Sequence, residues 1–109
     1  MEKQEIIKTL EAKNGNRWTK YGKDRIYFDA RNALSGLETD RYNTGNISSA
    51  TLNGESISNS EAKRLITAAL DVKIYYDIDT DKFNWNNSGN EKFDAMSRQY
   101  VEELRKSIS

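Results

Sequence analysis

Val72, Ile74, Tyr76 and Ile78 alternate with Lys73, Tyr75, Asp77 and Asp79. A two-residue period of that length describes a half-buried strand, with apolar side chains sent to a core and polar ones to solvent. After a turn near Thr80-Asp81, Phe83 and Trp85 supply a return arm whose apolar residues face the same way. This hairpin restricts the fold more than any other stretch. A sheet with one wet face is the habit of antiparallel sheets, and its dry face must be covered by helices.

Two further hairpins and three helices follow from the same reasoning. In the first hairpin, Trp18 on one arm and Ile26 and Phe28 on the other point inward, Arg25, Tyr27 and Asp29 point outward, and Tyr21-Gly22-Lys23-Asp24 makes the turn. The second runs from Ile47 to Leu52 and from Glu55 to Ile57 around Asn53-Gly54, a pair suited to a type I′ turn because both central residues need positive φ. Ile6, Ile7 and Leu10 stripe a helix over residues 2–13 that Asn14-Gly15 stops. Ser58 and Glu61 have capping-box spacing ahead of a helix with Ala62, Leu65, Ile66, Ala69 and Leu70 on its apolar face. Ser88 and Glu91 repeat that spacing before a last helix carrying Phe93, Met96, Tyr100, Val101, Leu104 and Ile108. Between Ala30 and Gly45 the periodicity fades into one helical turn and a loop at Tyr42 to Gly45, the segment expected to grip a ligand if any does. The expected architecture is one α+β domain spanning 1–109, an antiparallel sheet built from three hairpins with three helices packed mainly on one face. With the first and third hairpins side by side, the open face would display Arg25, Tyr27, Lys73, Tyr75 and Lys82.

Several chemistries are excluded outright. The chain has no cysteine and no histidine, which removes disulfides, thiolate nucleophiles, imidazole bases and zinc fingers. Asp77, Asp79 and Asp81 have the alternate spacing of a calcium loop, but the sixth position is Lys82 where glycine is needed and the twelfth is Ser88 where a glutamate is needed. They read instead as a polar turn. Glu11 and Lys13 have nuclease-like spacing without an upstream aspartate, and Ser58 with Lys63 fits capping and surface roles better than catalysis. A non-enzyme with no cofactor or metal is therefore expected. The charged N-terminus, followed by no long apolar run, predicts neither a signal peptide nor a membrane span, and so a cytoplasmic location.

The remaining chemistry is the basic and aromatic stretch from Arg17 to Arg31. Lys and Arg balance Asp and Glu at 17 each, so a charged partner has to be met by a local patch. Arg17, Lys20, Tyr21, Lys23, Arg25, Tyr27 and Arg31, with Tyr75 from the third hairpin, are the candidate binding residues. Cations beside aromatic faces suit nucleic acid, and Arg with Tyr also suits a protein interface. Residues 17–27, joined to Tyr42–Ala50 and Asn53–Asn59, resemble small accessory proteins carried by phages and other mobile elements of bacteria, over roughly residues 17–79. The resemblance brings no assigned activity and no catalytic residues. It implies an accessory factor that binds and inhibits a host protein, in the manner of anti-CRISPR proteins; a nucleic-acid-binding module using hairpin 17–31 is the alternative. The lack of acidic excess argues against DNA mimicry.

Overall fold

A computed structural model describes residues 1–40 and 47–109. The elements in order are helix α1 (Lys3–Ala12), strands β1 (Asn16–Lys20) and β2 (Lys23–Asp29), a 3-10 helix (Ala30–Leu34), strands β3 (Leu37–Thr39), β4 (Ala50–Leu52) and β5 (Glu55–Ser56), helix α2 (Asn59–Leu70), strands β6 (Lys73–Asp77) and β7 (Lys82–Trp85), and helix α3 (Glu91–Ser107). The fold is α+β with antiparallel pairing throughout.

The first and third hairpins form one four-stranded sheet in the order β1-β2-β6-β7. Their seam pairs Arg25 with Asp77, Tyr27 with Tyr75 and Asp29 with Lys73. The single sheet expected from three hairpins is instead two sheets. The second hairpin pairs with β3, Leu37 opposite Leu52 and Thr39 opposite Ala50, in a separate three-stranded unit. Three-residue strands bury little on their own. Leu37, Ile47 and Ala50 nonetheless reach the common core, which needs this unit turned toward the helices. Asn53 (φ 51°) and Gly54 (φ 85°) make the expected turn, and the Asn53 amide donates to the Gly36 carbonyl.

One cluster of buried side chains runs from Ile7 to Ile108. It joins Ile26, Phe28, Ile74 and Tyr76 of the main sheet to Leu10 of α1, Ala62 and Leu65 of α2 and Phe93, Val101 and Leu104 of α3. The helices therefore share the inner face. α1 ends where Asn14 takes φ 66° and the Gly15 amide bonds to the Leu10 carbonyl. Ser58 caps α2 through the Glu61 amide, as the spacing predicts. The α3 cap is Asn90, whose side chain accepts from the Phe93 amide. Ser88 does not cap that helix; it donates to Asp94 from its amide and hydroxyl.

Expected core positions differ on two helices. Leu70 is 69% exposed, because α2 ends there and Ala68 fills the inner flank in its place. On α3, Ser97 is buried with its hydroxyl bonded to the Asp94 carbonyl, while Met96 and Tyr100 are only partly covered. The weakly patterned stretch also acquires structure. Ala30, Ala33 and Leu34 of the 3-10 helix are buried, so this part of the expected ligand-gripping segment is core. The loop expected at Tyr42 to Gly45 lies outside the described residues.

Candidate functional site

Register fixes what the main sheet presents to solvent, because directly opposed residues in antiparallel strands share a face. One row crosses all four strands as Trp18, Arg25, Asp77 and Lys82; the next runs Asn16, Tyr27, Tyr75 and Asn84. Lys20 and Lys23 pair at one end, Asp29 and Lys73 at the other. All three helices lie across the sheet, so these rows form an open face.

The middle of that face is ordered by its own side chains. The Arg25 guanidinium stacks on the Tyr75 ring at 4.4 Å, and Tyr27 lies 5.4 Å from Tyr75, ring centre to ring centre. Arg25 Nη1 donates to the Tyr27 hydroxyl at 3.3 Å, an interaction that, ahead of the surrounding charges, raises the pKa of the guanidinium further. All three are half-buried. Beside Arg25, Trp18 is 59% exposed. The inward orientation expected for Trp18 is therefore reversed. The turn is the two-residue type I′ loop Tyr21-Gly22, which sets Trp18 opposite Arg25 and puts Arg17 opposite Ile26 on the inner side.

Of the eight residues singled out by sequence, the structure brings Arg25, Tyr27 and Tyr75 into contact, with Lys20, Tyr21 and Lys23 at the tip of the same hairpin. Lys20 Nζ sits 5.1 Å from the Tyr21 ring centre. Tyr21 is 90% exposed and holds φ 52°, a conformation costly for a bulky side chain. Arg17 and Arg31 belong elsewhere. Arg17 makes a two-pronged bond to Asp24, at 3.0 and 2.6 Å, joined by Thr19. Arg31 grips Asp29, which also caps the 3-10 helix. Each arginine holds its carboxylate below the usual range. Both are thereby neutralised locally.

The aspartate turn is likewise committed. Asp77 accepts from the Asp79 and Thr80 amides, Asp79 meets Lys3, and Asp81 is bound by the Tyr76 hydroxyl and by Arg105. No group of three acidic side chains able to hold a metal occurs among the described residues. Ser58 is the α2 cap, its hydroxyl accepting from the Glu61 amide.

A small antiparallel sheet with helices on one side and an arginine-tyrosine cluster on the other defines the class: an α+β domain that leaves one sheet face uncovered. Beyond that class, no family model, curated protein or solved structure matches the chain. No helix among the described residues is long and apolar enough to cross a membrane.

Proposed function

We propose that this chain is a non-enzymatic binding protein that uses the open sheet face to engage and block another protein, in the manner of a phage or mobile-element accessory factor acting on a host target. The observation that carries the reading is the uncovered cluster of Trp18, Arg25, Tyr27 and Tyr75, with Trp18 59% exposed. Trp, Tyr and Arg are the residues that dominate interface hot spots, and the two aromatics remove large areas from water while losing little side-chain freedom. An arginine already stacked on tyrosine is also fixed before the partner arrives. Local pairing of Arg17 and Arg31 with aspartates subtracts two cations from the basic stretch, which favours a shaped interface over a polyanion track.

The test is capture from bacterial lysate with tagged protein, with and without nuclease and at low and high salt, using wild type beside Trp18→Ala, Tyr75→Ala and Lys20→Ala. A discrete protein that survives nuclease and salt is expected. Trp18→Ala and Tyr75→Ala should each weaken it by about 2 kcal/mol or more, roughly thirtyfold, and Lys20→Ala by much less. Recovery of the same protein by all four forms would sink the reading.

A second reading rests on the hairpin tip, where Tyr21 is held exposed in a strained conformation between Lys20 and Lys23. Lysines on phosphates with a tyrosine stacked on a base would make it a single-strand nucleic-acid contact. That reading predicts binding to oligonucleotides that collapses as salt rises and depends on Lys20, Lys23 and Tyr21 rather than Tyr75.

A further inference from the structure

Resting on the proposal that the open face binds a protein, we infer that Arg25 is the anchor for a carboxylate of that partner, held end-on by its terminal guanidinium nitrogens, and that the partner's contact surface is acidic. Three observations converge on this. The first is that Arg25 lacks the counter-ion its neighbours have. Arg17 and Arg31 each hold an aspartate oxygen at 2.6 Å, whereas Arg25 has no ion pair among the described residues. Asp77 stands directly opposite Arg25 in the register and adds to its field, but it makes no ion pair with Arg25, and its Oδ1 accepts from the amides of Asp79 and Thr80.

The second is which donors are left. Arg25 Nε is sealed from solvent without a hydrogen-bond partner, and Nη1 gives one bond to the Tyr27 hydroxyl. Nη2 makes no bond to a described residue and is not sealed in this way. A side-on approach through Nε is closed. What remains is the terminal edge, with the guanidinium carbon 4.4 Å from the Tyr75 ring centre, and a planar two-oxygen acceptor fits that edge. The third is the surrounding field. Lys20, Lys23, Lys73 and Lys82 share this face, and of its two aspartates Asp29 is already bound by Arg31. A neutral chain has thus concentrated positive charge on its open side. A phosphate-rich partner would suit a guanidinium too. It would draw most on the cations of the hairpin, however, and two of those, Arg17 and Arg31, are neutralised.

The probe is a fluorescein-labelled octaglutamate peptide, with octaglutamine and a single-stranded oligothymidylate of equal charge as comparisons. Binding is read by anisotropy and by Trp18 emission in a Trp85→Phe background. Octaglutamate should bind and octaglutamine should not. Arg25→Lys keeps the charge but loses the fork and the stacking, and should weaken octaglutamate about tenfold or more. Lys82→Ala should change it about twofold at most. Tyr27→Phe, which preserves the ring but removes the hydroxyl that fixes the guanidinium in place, gives a second variant that keeps the face intact and should weaken binding severalfold. Equal affinity of Arg25→Lys and wild type, or tighter binding of oligothymidylate than of octaglutamate, overturns the inference. If Arg25→Lys is silent while Trp18→Ala and Tyr75→Ala still abolish capture of the protein partner, the carboxylate anchor falls and the open-face reading stands. If those two are silent as well, both fall.

Discussion

Gly15→Ala tests the close packing of the end of α1 against β2. Gly15 is buried between the end of α1 and the start of β1, and its φ is not in the left-handed region, so alanine meets no backbone penalty there. The obstacle is space. A Cβ would stand 2.5 Å from Ile26 Cγ2, 2.7 Å from the Leu10 carbonyl oxygen and 2.9 Å from Phe28 Cε1. The carbonyl cannot yield without breaking the helix-terminating bond from the Gly15 amide, and Ile26 is 0% exposed with no room to retreat. Overpacking of this kind costs about 1–3 kcal/mol, and two immobile contacts put this case at the upper end. Restricting the unfolded chain returns about 0.4–1 kcal/mol. The net loss is about 2 kcal/mol, which for a domain of this size lowers Tm by roughly 8–16 °C. Gly54→Ala is the comparison, since Gly54 has open space around it but φ +85°, and so is charged only the backbone term of about 1 kcal/mol. Thermal melts followed by circular dichroism decide it. If Gly15→Ala melts closer to wild type than Gly54→Ala does, the account of how α1 docks on β2 is wrong.

Two further outcomes follow from other sites. Burial, reinforced by the bond to Asp81, pushes the Tyr76 hydroxyl up to about 12 from an ordinary 10, so the unfolded chain loses this proton first. The stabilisation is complete below pH 10 and is lost between pH 10 and 12, on the order of 2–3 kcal/mol in all; urea titrations of wild type and Tyr76→Phe should therefore converge over that window, and parallel lines would refute it. Tyr21→Asn relieves a left-handed tyrosine that packs against little, and should raise stability by up to about 1 kcal/mol, read as a higher urea midpoint at unchanged slope.

The open face was legible where alternation alone decides orientation. Arg25, Tyr27, Lys73, Tyr75 and Lys82 lie where the two-residue period puts them, and Asn53-Gly54 turns as its chemistry requires. Trp18 was not legible from hydrophobicity, which sends tryptophan inward. The signal that finds it is the turn. Reading Tyr21-Gly22 as a two-residue loop pairs Lys20 with Lys23 and carries Trp18 to Arg25, but a tyrosine at positive φ is an unusual way to write that loop. The Arg17–Asp24 pair depends on the same register, since residues seven apart meet only once the hairpin is closed. The β3 pairing had no period to display, because three residues are too few, and its partner strand does not begin until Ala50.

The seam between β2 and β6 has a thermodynamic consequence. Tyr27 and Tyr75 are neighbours in space but come from opposite halves of the chain, with the 3-10 helix, the small sheet and α2 between them. Opening the seam abolishes the proposed recognition surface at once, so a ligand spanning both tyrosines binds only the closed protein. Its binding free energy is then added to the free energy of unfolding, by about 2.7 kcal/mol when it is present at a hundred times its Kd. A partner gripping this face would act as a clasp between two hairpins far apart in the chain, and the protein would be most resistant to unfolding and proteolysis while engaged.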